Sequence, residues 1–107
     1  MRIELRLIIV IISCMIIYLG INAVNTIGHE NAHLQVDNYS YISSHIEYSF
    51  LMISGKVIPD NNQTVPASLS KEYFMLHSLN EIVGYNVQSI LLFMTVITGL
   101  LIWRELK

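Results

Sequence analysis

The 107-residue chain has little of what shapes ordinary soluble domains: one cysteine, two prolines, five glycines and only 13% charged residues. Soluble domains carry about 25% charged residues. Because Cys14 is alone, an intrachain disulfide framework and a thiolate zinc site are both excluded. Six Lys and Arg stand against eight Asp and Glu, a net charge of −2, which lacks the basic surface that nucleic acid requires. No nucleic-acid partner is therefore expected.

Two long stretches without charge, Leu7 to Val24 and Val87 to Trp103, lie near the ends of the chain. A helix needs about 20 mostly apolar residues, with a range of about 17–25, to cross a bilayer. Only helices and closed barrels span bilayers, and two segments cannot close a barrel. The sequence therefore predicts a mainly α fold in a lipid bilayer. Residues 1–107 form a single membrane domain, a two-pass transmembrane helical hairpin with helices at 7–24 and 87–103 and a small extramembrane α+β region at 25–86.

Charge at the flanks predicts the orientation of these helices. Arg2, Glu4 and Arg6 sum to +1, the three charges after the second stretch also sum to +1, and the charges between the stretches sum to −4. Because cytoplasmic flanks are enriched in Lys and Arg, both termini are predicted to be cytoplasmic. The composition is rich in Ile, Asn and Tyr, which suits an AT-rich genome and is compatible with a viral or archaeal source. If the protein is viral, the membrane it spans would be the host's.

The region between the stretches contains one strand-like pattern. Apolar Ile46, Tyr48 and Phe50 alternate with polar residues, which predicts a strand or hairpin within 39–54. Residues 55–66 carry both prolines and are predicted to form a loop. From Lys71 the pattern is compatible with a helix that continues into the second stretch.

The one motif that carries chemistry is His29-Glu30-Asn31-Ala32-His33, an HExxH match. Residues four apart share a helix face, so both imidazoles can bind one zinc ion. Glu30 then stands where a general base can take a proton from water. The motif begins about five residues beyond the first apolar stretch, which places it just outside the membrane if the helix continues.

A second polar group precedes the second apolar stretch. His77 and Glu81 are four apart on the later helix and share a face. Antiparallel packing would bring Glu81 level with His29 and His33. Polar and small residues at helical spacing predict the faces that meet: Asn22, Thr26, His29 and His33 on the first helix, and His77, Glu81, Tyr85, Gln88, Thr95 and Gly99 on the second.

These two motifs resemble the gluzincin metalloproteases, which pair HExxH with a glutamate on a later helix, often after asparagine. Here Asn80-Glu81 within LHSLNEIVGYN matches that element. The resemblance implies His29, His33 and Glu81 as zinc ligands and Glu30 as general base. His77, His45 or Tyr85 would stabilise an oxyanion, and a strand such as 46–50 would bind the substrate backbone. Glu47 and His45 stay open as alternative third ligands.

Three functions are compatible with the sequence. The first is a membrane-embedded zinc metallopeptidase that acts on a peptide substrate. The second is a zinc site that only clamps the two helices together. The third is a non-enzymatic small membrane protein, either a subunit with a membrane-protein partner or a viral protein of the host membrane. Zinc content and its dependence on the motif distinguish them.

Overall fold

The structure is a computed structural model that describes all 107 residues. In chain order it contains helix α1 (Ile3–Tyr39), strand β1 (Ser44–Tyr48), a 3₁₀ turn (Phe50–Met52), strand β2 (Gly55–Pro59) and helix α2 (Ser70–Glu105). The mainly α composition with a small sheet between two long apolar helices is as predicted. Both helices extend well beyond the predicted spans, α1 through the HExxH motif and α2 from its N-terminus.

The two helices form an antiparallel pair that is in contact along its whole length. The Arg6 guanidinium lies 4.2 Å from the Trp103 ring centroid, Cys14 Sγ lies 3.9 Å from the Thr95 carbonyl oxygen, and His29 contacts the face of α2 near Glu81. The molecule measures 64 × 22 × 13 Å. Both helices are long and apolar enough to cross a membrane, which fits a two-pass membrane protein.

The interior of this pair is polar, and its exterior is apolar. Of eight buried residues, only Ile42 has a large apolar side chain. Asn22, Thr26, Thr95 and Gly99 are buried between the helices, as the predicted faces require. The bulky side chains of both apolar stretches point outward. Of the predicted contact positions, Tyr85 and Gln88 lie at an exposed edge of the interface instead.

Helix α1 ends in a turn that directs the chain back towards α2. The Ile42 N–H donates to the Asp37 carbonyl oxygen at 2.8 Å, and the Tyr41 N–H donates to the Asn38 carbonyl oxygen at 3.2 Å. This is a Schellman motif, in which the residue after the cap adopts a left-handed conformation. Tyr41 occupies that position with φ 63, although glycine is preferred there. The turn fixes the Asp37 segment against the hairpin.

The sheet is an antiparallel hairpin in which Ile46 pairs with Val57 and Tyr48 with Gly55. The strand predicted within 39–54 is confirmed, and it runs from Ser44 to Tyr48. The prediction of a loop over all of 55–66 was wrong, because Gly55–Pro59 forms β2 and only the residues after it connect to α2. Pro59 ends the strand, where a missing N–H costs no ladder bond. The two prolines and the Asp60-Asn61-Asn62 cluster favoured a loop by composition, and that composition did not reveal the pairing of 55–59 with β1.

Candidate metal centre

The HExxH residues lie on an unbroken stretch of α1, so helix geometry alone brings His29 and His33 to one face, one turn apart. Helix α2 supplies Glu81 from the opposite side. Two contacts fix the relative position of the helices here: the Asn80 amide donates to the His29 carbonyl oxygen at 3.1 Å, and the His29 ring packs on Gly84. Residues 48 positions apart in sequence are thereby held together.

Three potential ligand atoms converge at this point. The His33 Nε2 to Glu81 Oε1 distance is 2.6 Å, the His29 Nε2 to Glu81 Oε1 distance is 3.2 Å, and the two Nε2 atoms are 3.2 Å apart. The group His29, His33 and Glu81 lies within metal-binding distance. The structure therefore brings together the three residues that the sequence singled out as ligands.

The donor set and two of the three separations are compatible with a zinc ion. Zinc binds imidazole nitrogen at about 2.0–2.1 Å and carboxylate oxygen at about 2.0–2.2 Å, so neighbouring ligand atoms of a tetrahedral site lie about 3.3 Å apart. Two of the three separations are 3.2 Å. Two imidazoles and one carboxylate are also the donor set of catalytic zinc sites that keep a position open. The third separation, 2.6 Å between His33 Nε2 and Glu81 Oε1, is a hydrogen-bond distance, so these two side chains would have to separate by about 0.7 Å to share one zinc ion.

A second histidine and a buried aspartate extend the cluster away from the ligands. His33 Nδ1 lies 2.6 Å from His77 Nδ1, and His77 Nε2 lies 3.0 Å from Asp37 Oδ1. Asp37 is only 3% exposed, and it also accepts a hydrogen bond from the Ser44 hydroxyl. The chain of contacts Asp37–His77–His33 thus holds the His33 ring from behind.

The proton positions along this chain follow from its chemistry. His77 donates from Nε2 to Asp37, and His33 donates from Nδ1 to His77 Nδ1, which leaves the His33 Nε2 lone pair free for an ion. If His33 also donates from Nε2 to Glu81, one of the two rings must carry a proton on both nitrogens. The two arrangements differ by one proton on the His33–His77 pair. Carboxylate-to-histidine contacts of this kind orient ligating histidines in metal sites.

Asp37 is a member of the cluster that the sequence did not single out. It lies four residues after His33 on the same helix face. The four-residue spacing of His29, His33 and Asp37 was a usable signal. Its partner, however, was hidden: only the packing of α2 shows that His77 stands between His33 and Asp37.

The electrostatics of the cluster favour an ionised Glu81. Partial burial opposes ionisation, but the hydrogen bond from His33 together with the charge and hydrogen bond of His29 outweighs it, so the pKa of Glu81 is lowered. A lowered pKa keeps the carboxylate in the form that binds a cation. Next to the Asp37–His77 pair, burial and then the Asp37 carboxylate raise the pKa of Tyr73.

Glu30 is 6% exposed, but the hydrogen bonds that join the other members of the cluster do not involve its carboxylate. It packs against Gly55, the first residue of β2. Two cavities, of about 260 Å³ and about 470 Å³, meet at Glu30 and Glu81. Space for a small molecule therefore lies on both sides of the two carboxyl groups.

The other sequence candidates lie elsewhere. His45 and Glu47 are on the exposed surface of the hairpin, where His45 Nδ1 lies 2.7 Å from Asp60 Oδ1 and His45 Nε2 lies 3.4 Å from Glu47 Oε1. They do not belong to the metal-binding group. Tyr85 lines the smaller cavity beside Glu81.

The strand beside the cluster is β2, not the 46–50 segment. Gly55, Lys56, Val57 and Pro59 line the larger cavity together with His33.

Comparison with known protein families, with curated proteins and with solved structures gives no match.

Proposed function

We propose that the protein is a membrane-embedded zinc metallopeptidase of minimal size, with its site just outside the lipid. The observation that carries the proposal is the convergence of His29 Nε2, His33 Nε2 and Glu81 Oε1 at 2.6–3.2 Å from two helices. The HExxH motif and the Asn80-Glu81 pair that resemble gluzincins supply the same three residues. Zinc held there would polarise a peptide carbonyl and a water molecule.

In this proposal Glu30 is the general base. Its carboxylate is buried beside the ligands, lines both cavities and is not engaged by the cluster, so it is available to accept a proton from water. His77 positions His33, because both of its ring nitrogens are already paired, with His33 and with Asp37. Tyr85, at the exposed edge of the smaller cavity, remains the candidate for stabilising an oxyanion.

The substrate would bind along β2. This strand pairs only with β1, so its other edge has free backbone groups, and four of its residues line the cavity beside His33 and Glu81. An extended peptide can add to such an edge through main-chain hydrogen bonds. The proposed substrate class is therefore an extended peptide segment.

The first test is metal content. The full-length protein, purified in detergent and dialysed against a trace of zinc, is expected to hold one zinc ion per chain by mass spectrometry of the metal. His29→Ala and Glu81→Ala should lose it, whereas His45→Ala, a matched histidine outside the cluster, should keep it. Wild-type protein that is folded by circular dichroism but holds no zinc would overturn the proposal.

The second test separates catalysis from structure. Glu30→Gln should keep its zinc, while cleavage of a library of internally quenched peptides should fall by about 10²–10⁴-fold, the usual contribution of a general base. If wild-type protein holds zinc and cleaves no peptide, the site is a clamp between α1 and α2. That second candidate is favoured by one observation: the ligands come from both helices.

A further inference from the structure

The tip of the β-hairpin, defined here as Phe50–Ile53, is an apolar surface without a protein partner. Phe50 is 84% exposed, Leu51 55% and Ile53 54%. No charged residue lies between Ser49 and Ser54. Four consecutive exposed apolar residues at the end of a hairpin are not expected in a water-facing turn, which favours Gly, Asn, Asp and Ser.

The backbone of the tip is strained at two residues. Leu51 and Met52 have φ values of 57 and 53, in the left-handed region that costs roughly 1–2 kcal/mol for a residue with a side chain. Glycine or asparagine would relieve that cost in water. Bulky apolar residues here are favourable only if the tip enters an apolar surrounding.

The position of the tip along the helices identifies that surrounding. The Asn22 amide donates to the Ile53 carbonyl oxygen at 3.1 Å, and Asn22 lies inside the apolar stretch that ends at Val24. Cys14 packs on Gly99 and His29 on Gly84, so the two helices are in register and Val24 is level with the start of the second apolar stretch. The tip therefore lies beside the outward ends of both stretches.

We propose that the hairpin tip inserts into the leaflet of the bilayer on its own side, as a third membrane contact besides the two helices. The helix surface at the height of the tip is itself apolar and uncovered, since Val24, two residues after Asn22, is 72% exposed. Amphipathic elements that lie at an interface bury their apolar residues about 5–10 Å into the headgroup and acyl boundary. Glu47 and Lys56, the charged residues nearest to the tip in sequence, are register partners that lie beyond the Tyr48–Gly55 pair.

This placement rests on the two-span arrangement of the proposed function, and it narrows the substrate class. The smaller cavity runs from His29 and Glu81 down to Asn22 and Gln88, and Ile53 and Ser54 line it from the hairpin side. With the tip in the leaflet, that cavity opens at the lipid surface. The peptide that reaches the cluster is then one already held at the membrane, such as the segment next to a transmembrane helix.

The test uses tryptophan fluorescence in liposomes. Trp103 is the only tryptophan, so Trp103→Phe provides a background for Phe50→Trp, with Ile53→Trp as a second position. In vesicles of phosphatidylcholine brominated in the acyl chains, the emission of both tip variants is expected to fall by about half, because the indole would contact the acyl boundary. The matched control is Tyr41→Trp, an exposed aromatic at the other end of the hairpin, which should be quenched by aqueous iodide instead.

The outcomes separate the two proposals. Insertion of the tip would be overturned if iodide quenched Phe50→Trp and Ile53→Trp as efficiently as Tyr41→Trp while brominated lipid did not quench them. Quenching of Trp103 in the unmodified protein by brominated lipid reports the span independently, and the zinc content of the same samples reports the cluster. A tip that stays in water while Trp103 is quenched and zinc is bound would leave the proposed function intact.

Discussion

The outer part of the helix pair (residues 22–88) and the inner part (residues 3–21 and 89–105) hold together by different means. In the outer part, α1 and α2 are joined by side-chain contacts among His29, His33, His77, Glu81 and Asp37. In the inner part, Cys14 packs on Gly99, and the one charged contact, Arg6 on Trp103, lies at the far end of the pair. Polar pairs fix which residues face each other, whereas close packing of small residues fixes only how near the helices approach.

The largest expected effect is loss of metal from the outer part. His33 contacts both other candidate ligands. Structural zinc sites with four ligands bind zinc with about 10–16 kcal/mol of free energy, or about 2.5–4 kcal/mol per ligand. Loss of one ligand should therefore weaken zinc binding roughly several-hundred-fold. We expect this for His33→Ala in a competition titration against a chelator. Equal affinity of His33→Ala and His45→Ala would show that the cluster does not bind the metal.

The next effect concerns Asp37, which orients His33 through His77. Asp37→Asn removes the charge but keeps the size of the side chain, and loss of such a supporting contact typically lowers metal affinity by about 10–100-fold. The same chelator titration measures it. Asp60→Asn, which changes an exposed aspartate on the hairpin, serves as the control and should leave zinc affinity unchanged.

One glycine in each part lies against a side chain of the other helix. A Cβ at Gly84 would lie 2.5 Å from His29 Nδ1, and one at Gly99 would lie 2.6 Å from Cys14 Sγ. Overpacking costs about 1–3 kcal/mol, so both alanine variants should lower the unfolding midpoint in detergent. Only Gly84→Ala should also lower zinc affinity, because it displaces a ligand.

Two controls accompany the glycine pair. Cys14→Ala should restore the stability of Gly99→Ala, since it removes the atom that the new Cβ meets. Gly20→Ala has nothing within 4 Å of its new Cβ and should not destabilise the protein. Loss of zinc affinity in Gly99→Ala as large as in Gly84→Ala would break the distinction between the two parts.

A gain of stability is expected at the end of α1. Tyr41→Gly should stabilise the protein by about 1 kcal/mol, because glycine adopts the left-handed conformation of the Schellman turn without the steric cost of a side chain. Thermal unfolding in detergent measures it. A lower midpoint would mean that the Tyr41 ring makes a contact that outweighs the strain.

The smallest effect is a pH dependence confined to the hairpin surface. Hydrogen bonds to Asp60 and then to Glu47 raise the pKa of His45, and hydrogen bonds from Ser43 and then His45 lower the pKa of Asp60. The His45 contribution is therefore complete below about pH 6.5 and is lost as pH rises through its raised pKa. The Asp60 contribution is lost as pH falls through its lowered pKa.

Amide exchange of β2 measured at several pH values checks this expectation. Protection should be greatest at mildly acidic pH, between the two pKa values, and the difference should be small because exposed pairs contribute little. His45→Gln should remove the loss of protection above neutral pH. A variant that keeps the full pH dependence would assign it to another group.

The sequence predicted the elements whose evidence is local. The two uncharged stretches gave both long helices, and helical spacing placed His29, His33 and Glu81 where they meet. Elements fixed by distant partners were missed. Strand β2 depends on pairing with β1, the role of Asp37 depends on where α2 places His77, and the left-handed Tyr41 runs against its own preference. The contact between Asn22 and Ile53 likewise joins residues that share no pattern.

The contacts of Arg6 and Asn22, near the two ends of the first apolar stretch, define the length of helix between them. Asn22, which holds the hairpin tip, follows Arg6 by 16 positions, or about 24 Å of helix at 1.5 Å per residue. The hydrocarbon layer of a typical bilayer is about 30 Å thick, and hydrophobic mismatch costs fractions of a kcal/mol per Å. A chain that spans the bilayer in this way would thin the lipid around itself or collect in thinner membranes.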